Sequence, residues 1–334
     1  MWRWGVLGCA DIAVRAMIPA IQQAREAKLE AVASRDANRG EAVALRFGVR
    51  ALPSYEALLS DPAVDVVYVP LPTGLHAEWV LAALAAGKHV LCEKPLATTA
   101  ADVDRICTAA EAKGLVAMEA LMYRLHPLAE RAVDLVRSGL LGEPQVFTAS
   151  FTYHLADAGD IRFRRDLGGG VLLDVGSYCV STARLLIGNE PSEVHGFARF
   201  GPRGDADEAF TGALRFADGA LATFACACTA PRDQWYRLAC SDATLAVANP
   251  YAPGTDDRDL LVVRGFQRGA QTEERITVPG ADQYRLLVEH VGDVVAGRDS
   301  PRVGLAETRA NVAAVEALMA SAREGGPRRL HVDR

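Results

Sequence analysis

Gly5-Val-Leu-Gly8-Cys-Ala-Asp-Ile-Ala13 joins a short apolar strand to the start of a helix. From Gly8 the spacing is G-x-A-x-x-A, a variant of the G-x-G-x-x-G/A turn that cradles a dinucleotide. Gly8 supplies the tight turn, Ala10 stands where the backbone nears a pyrophosphate, and Ala13 permits close packing of helix on sheet. Free N–H groups at a helix start favour an anion, so Gly8, Cys9, Ala10, Asp11 and Ile12 form the expected cofactor cradle. A tight turn without a ligand is the plain alternative. Outward from this turn, short apolar runs at 3–7, 29–33, 65–69, 89–92 and 115–118 alternate with helical patterns near 11–25, 38–46, 74–86 and 99–113. That alternation predicts βαβ units and a mostly parallel sheet. Gly48, Gly87 and Gly114 fall where these helices should stop.

The second strand, Leu29-Glu-Ala-Val-Ala33, ends in Ser34-Arg35. A carboxylate at this place would bond the adenosine ribose of NAD and repel a 2′-phosphate, whereas a hydroxyl and a guanidinium bind that phosphate. Arg39, one helical turn on, adds charge. The residues therefore favour NADP over NAD. Asp36 is either a ribose ligand or the cap of the helix at 38–46. Further along, Asp65-Val-Val-Tyr-Val-Pro-Leu-Pro-Thr-Gly-Leu-His76 reads as a strand, a Pro-bounded turn and a helix start. The next strand, His89-Val-Leu-Cys92, delivers Glu93-Lys94-Pro95 at its tip. Ligands of an open parallel sheet bind outside the carboxyl ends of its strands, so Lys94 stands where substrate chemistry would need a cation.

Past about residue 122 the pattern changes. A helix over 127–137 ends at Gly139, an alternating strand spans 145–154, and a Gly-rich turn opens a helix over 172–186. Alternating runs follow at 193–200, 208–216, 219–228, 235–240, 243–248, 260–264 and 275–278, then helices at 282–296 and 305–323. Strands joined by short turns predict a large, open, mostly antiparallel sheet. The organisation is thus an α/β nucleotide domain over 1–122 and an α+β domain over 123–334, whose last helices could pack back on the first. One sheet face takes the helix at 172–186. The other is expected to be covered by a second subunit, in a homodimer or homotetramer.

A chain of 334 residues exceeds the usual single core. Its 36 Lys and Arg against 42 Asp and Glu give a formal charge of −6. Without a sustained basic block, nucleic acid is excluded as the main partner; Pro327-Arg-Arg-Leu-His331 is short and reads as a solvated terminus. No run of about 18 uninterrupted apolar residues suggests a membrane span. Trp4-Gly-Val-Leu-Gly8 already reads as strand and turn rather than leader. The seven cysteines are scattered, and Cys226 with Cys228 lacks the second pair a zinc set needs. A reduced, cytoplasmic chain without a metal is expected.

Taken together, the nucleotide turn, Glu93-Lys94-Pro95 and Gly168-Gly-Gly-Val-Leu-Leu-Asp174-Val-Gly-Ser-Tyr178 resemble the Gfo/Idh/MocA family, named for glucose–fructose oxidoreductase and inositol dehydrogenase. Pro72-Thr-Gly-Leu-His76, Met122-Tyr-Arg-Leu-His-Pro127 and Gln283-Tyr284 extend the resemblance over nearly the whole chain. It implies a Rossmann domain, an α+β domain with an open sheet, and hydride transfer between nicotinamide and a sugar or polyol carbon. It also implies that Lys94 contacts substrate and that Asp174 and Tyr178 fill the Asp-x-x-x-His/Tyr pair. Tyrosine in the second slot is similar to the glucose–fructose oxidoreductase, xylose dehydrogenase and dihydrodiol dehydrogenase branches and departs from the inositol dehydrogenase pattern.

Oxidising a secondary alcohol needs a base for the hydroxyl proton. Free tyrosine, with a pKa of about 10, is a poor base at neutral pH, and bringing it to about 7 takes roughly 4 kcal/mol of phenolate stabilisation. A neighbouring ammonium acts in that direction. Tyr178 is therefore assigned the proton, with Lys94 bonding the reacting oxygen and standing as the runner-up base. Asp174 either holds a substrate hydroxyl, orients Lys94, or caps its helix. By the same resemblance Leu71, Pro72, His76 and Glu93 line the cofactor; capping is the alternative for His76. Arg162 and His154 either reach the substrate or nicotinamide ribose or serve the surface. Tyr123, Arg124, His126 and Tyr284 are candidate wall residues. The leading function is an NADP-dependent oxidoreductase of sugars or cyclic polyols, with ketosugar reductase and trans-dihydrodiol dehydrogenase as variants. A non-catalytic NADP-binding redox sensor is the alternative from another class.

Overall fold

Six short strands separated by helices pair side by side in the first half of the chain. The computed structural model describes residues 1–202, 205–265 and 271–330. They divide into two compact units, Met1–Leu125 with Asp282–Arg309, and His126–Ala281 with Ala310–Arg334.

In the first unit β1 (Trp2–Leu7), β2 (Ala27–Ala33), β3 (Arg50–Leu52), β4 (Val66–Val69), β5 (His89–Cys92) and β6 (Ala117–Glu119) form one sheet in the order β3-β2-β1-β4-β5-β6. Every pair is parallel. Strand order reverses between β1 and β4, so the crevice at their carboxyl ends is the place for a ligand. The central strand β4 is apolar throughout because both its faces are covered, and Val66 to Val69 are all fully buried. Helices Ala37–Phe47 and Ala100–Lys113 end on Gly48 and Gly114 in the left-handed conformation, as the sequence predicts. The helix Gln283–Val295 also belongs to this unit; the Trp2 indole donates to its Gly292 carbonyl at 3.0 Å.

Two readings of this half need correction. The last strand is Ala117–Glu119 rather than 115–118, and β3 with the helix Tyr55–Ser60 falls in a stretch read as connection. Three-residue strands carry too little alternation to be seen in sequence. The helix after the nucleotide turn also opens with a π-helical turn, Ala13–Met17, before Ile18–Gln23.

The second unit is built on nine strands among the described residues: β7 (Pro144–His154), β8 (Pro191–Phe200), β9 (Asp207–Phe216), β10 (Leu221–Ala227), β11 (Thr229–Cys240), β12 (Ala243–Ala248), β13 (Arg258–Arg264), β14 (Thr272–Val278) and β15 (Arg328–Arg329). Their order is β14-β13-β12-β11-β7-β10-β9-β8-β15, antiparallel except where β7 meets β10. β15 corrects the reading of the basic tail: Arg328 and Arg329 extend the sheet on the β8 edge, while His331 lies outside the described residues. One sheet face packs on helix Ser177–Ile187 and on the later turns of helix Leu305–Glu324. Gly196 and Gly212, paired across β8 and β9, permit the latter approach: a Cβ on Gly196 would lie 2.6 Å from the Leu318 carbonyl, and one on Gly212 3.1 Å from the Leu318 side chain. The opposite face carries Phe197, Leu221 and Val146 in the open, the last two directly paired. One stretch, Arg165–Ile187, is long and apolar enough to cross a membrane, and 83 % of its apolar window is buried within the fold.

Candidate active site

In the first unit the nucleotide turn takes the shape its residues require. Gly8 has φ +120, and a Cβ there would lie 2.8 Å from the Leu71 side chain, so Leu71 closes over the turn from the end of β4. Ala10, Asp11 and Ile12 lead into the helix start, and Pro72 follows Leu71 at the head of the Thr73–Leu75 turn. Cys9 is buried beside Ser34 and Arg39; burial raises its thiol pKa, against the pull of Arg39 and a hydrogen bond with Ser34. Tyr55 shares a hydrogen bond with Arg35; burial raises its phenol, and Arg35 opposes the rise. Asp36 caps the helix Ala37–Phe47 by accepting the Arg39 amide at 3.2 Å, the cap alternative of the two its position allowed. The strand end thus offers a hydroxyl and two guanidinium groups, a donor set that fits an adenosine 2′-phosphate.

At the tip of β5, the Tyr68 hydroxyl donates to Glu93 at 2.6 Å, and the Lys94 amide donates to the other Glu93 oxygen at 3.3 Å. The Lys94–Pro95 peptide is cis. Tyr284, on helix Gln283–Val295, stands near Glu93 and Arg15; burial first and Glu93 second raise its phenol pKa. His76 does not offer its ring to a pocket. It is buried with Nδ1 at 2.8 Å from the Pro95 carbonyl and Nε2 at 2.7 Å from the Leu71 carbonyl. Burial lowers its pKa while both carbonyls resist. Glu119, at the end of β6, was missed in sequence: it accepts the Leu96 amide at 3.2 Å and the Thr308 hydroxyl at 2.9 Å. Burial pushes its carboxyl up to about 7. A single acid ending an otherwise apolar parallel strand was the signal. Tyr123 is buried too, and the neighbouring Arg124 pairs with Glu307; these are packing residues rather than open walls.

In the second unit Asp174 lies in a π-helical turn, Leu172–Gly176, which runs into helix Ser177–Ile187. Such turns recur at functional sites. Its carboxylate accepts the Tyr153 hydroxyl at 2.5 Å and Arg162 Nε at 3.0 Å, while Arg162 also reaches Asp160. Asp174 is therefore an ion-pair and hydrogen-bond centre, not a helix cap. Asp174 raises the Arg162 pKa; burial, then Asp174, raises that of Tyr153. Tyr178 is buried in an aromatic group, its ring 5.8 Å from Phe151 and 5.2 Å from Tyr251. His154, at the end of β7, is exposed. His126 is fully buried, its Nδ1 accepting the Leu128 amide at 3.0 Å and its Nε2 then donating to the Gly254 carbonyl at 3.2 Å, which makes it a structural residue. Asp207, also missed, accepts the Leu172 amide at 2.7 Å below the Gly-rich turn. No group of three metal-ligating side chains occurs among the described residues.

Residues 2–121 match the model of the oxidoreductase family with an NAD-binding Rossmann fold, GFO/IDH/MocA, and residues 129–246 match its C-terminal domain. The chain is 40 % identical over 324 residues to D-xylose 1-dehydrogenase (NADP(+)) 2 of Haloferax volcanii, covering 96 % of this chain and 98 % of that one. It is 38 % identical over 309 residues to a dTDP-3,4-didehydro-2,6-dideoxy-alpha-D-glucose 3-reductase of Streptomyces violaceoruber, covering 90 % and 89 %. The crystal structure of a 3-ketoreductase from Actinomadura kijaniata, in complex with NADP and TDP-benzene, superposes with a TM-score of 0.89 at 33 % identity, over 96 % of this chain and 97 % of that one.

Proposed function

The chain belongs to the GFO/IDH/MocA family of oxidoreductases, and from that premise we propose that it transfers a hydride between NADP and a CH–OH or carbonyl carbon of a sugar or related cyclic polyol. The observation that supports this most is Lys94, delivered by β5 to the carboxyl edge of a parallel sheet whose neighbouring turns, at Gly8 and Leu71, form the cofactor cradle. Gly8 to Ile12, Leu71 and Pro72 would hold the dinucleotide, and Ser34, Arg35 and Arg39 its 2′-phosphate. Bound NADP supplies the hydride acceptor or donor. In oxidation Tyr178 takes the proton of the substrate hydroxyl as that carbon loses its hydride and becomes a carbonyl; in reduction Tyr178 returns the proton. Lys94 donates a hydrogen bond to the reacting oxygen and stabilises negative charge on it. Asp174 acts as a positioning residue that orders Tyr153 and Arg162. A second copy of the chain covers the open face of the large sheet, giving a homodimer or homotetramer.

The test is a screen of aldoses, polyols, ketosugars, nucleotide-linked deoxysugars and dihydrodiols with NADP or NADPH, read by nicotinamide absorbance. Turnover of one class, lowered about 10²–10⁴-fold in Tyr178→Phe with NADP affinity unchanged, is expected. Tight NADP binding with no turnover on any class would instead identify a redox sensor.

A further inference from the structure

The peptide bond between Pro95 and Leu96 is held at both ends. Its carbonyl lies 2.8 Å from His76 Nδ1, and its N–H donates to Glu119 at 3.2 Å. A trans peptide is planar, with C=O and N–H pointing opposite ways, so two anchors fix its place and its rotation together. The anchors are themselves fixed. His76 is 1 % exposed and reaches the Leu71 carbonyl through its other nitrogen; Glu119 is 2 % exposed and takes the Thr308 hydroxyl on its second oxygen. A proline ring locks its own φ, leaving little freedom between this gripped peptide and the Lys94 backbone. On the other side of Lys94, Tyr68 holds Glu93. A neutral imidazole has one N–H and serves one of its two carbonyls, whereas an imidazolium serves both.

Burying an acid and an imidazole is unfavourable without compensation. An apolar pair would fill the same space, so two buried polar side chains converging on one peptide need a reason. We propose that His76 and Glu119 are positioning residues for Lys94, setting its backbone by gripping the carbonyl and the amide of the Pro95–Leu96 peptide. This rests on the catalytic assignment of Lys94 made above.

The experiment is a double-variant cycle on the full chain, with turnover measured on the substrate found by the screen. Misplacing a reacting group by about 1 Å costs on the order of 10²-fold. Glu119→Leu is expected to lower kcat by about that factor with NADP affinity preserved, and Glu119→Gln, whose amide oxygen still accepts the Leu96 N–H, to restore most of it. In a Lys94→Ala background Glu119→Leu should add no more than about a further twofold loss, because its effect runs through Lys94. Equal losses in both backgrounds, or full kcat in Glu119→Leu, overturn the proposal. His76→Gln carries the same cycle if Glu119→Leu fails to fold. Full turnover in Lys94→Ala removes the catalytic assignment itself, and the proposal with it.

Discussion

Replacing Glu119 by glutamine should make the protein more stable above neutral pH and leave it nearly unchanged in acid. Burial holds the folded carboxyl at about 7, against an ordinary value of 4.5. Below pH 4.5 both folded and unfolded chains hold the proton. Between pH 4.5 and about 7 the folded chain keeps a proton that the unfolded chain has released, so stability falls as pH rises through that window. Each tenfold change in proton affinity corresponds to about 1.4 kcal/mol. The difference between 7 and 4.5 therefore makes the ionised carboxylate cost the fold about 3 kcal/mol once pH passes 7. Glutamine carries no charge and keeps an acceptor for the Leu96 amide. The assay is urea unfolding of both proteins at half-unit steps from pH 4 to 8.5, taken as the difference between variant and parent. Asp207, which burial raises to about 6, changes stability with the same sign, but it is present in both proteins and drops out of the difference. A difference curve that stays flat across pH 4.5–7, or slopes the other way, refutes the burial argument.

Arg35→Ala should weaken NADP binding about tenfold or more while leaving NAD binding unchanged, since one charged hydrogen bond is worth about 1.5–3 kcal/mol; fluorescence titration of both cofactors checks it, and an unchanged ratio of affinities removes Arg35 from the phosphate site. The parent protein should run as a dimer or larger species in light scattering, and Phe197→Lys with Leu221→Lys should shift it toward monomer. A parent that is monomeric at every concentration removes the second copy from the open sheet face.

The legible parts of this molecule are those encoded locally. Gly8 and Ala13 announce a turn and a close packing, and Gly48 and Gly114 announce helix ends, each through residues within one turn of the feature. The partners of Glu119 could not be read this way. They lie 23 and 189 residues away, and only the closure of β6 beside β5 brings Leu96 near. Asp174 is a related case: its carboxylate goes to Tyr153, 21 residues back, and to Arg162, partners that the Asp-x-x-x-Tyr motif does not announce. Regular helical spacing also does not anticipate the π-helical turn at Leu172–Gly176. His76 is the converse case: placed by resemblance near the nicotinamide, it is instead taken up by two backbone carbonyls.

The fate of Asp174 bears directly on which group moves the proton. Tyr153 shares Asp174 with the family motif that holds Tyr178, and a phenol serves as a base only where its phenolate is stabilised. Tyr153 donates to a carboxylate at 2.5 Å, and burial together with that negative charge raises its pKa further from neutrality. An anion beside a phenol opposes its ionisation, so Tyr153 stays protonated and serves to hold Asp174 in place. Arg162, committed to Asp174 and Asp160, is protonated throughout and cannot accept a proton. Activity that survived Tyr178→Phe would therefore move its proton through Lys94, and adding Lys94→Ala to that variant should abolish what remains.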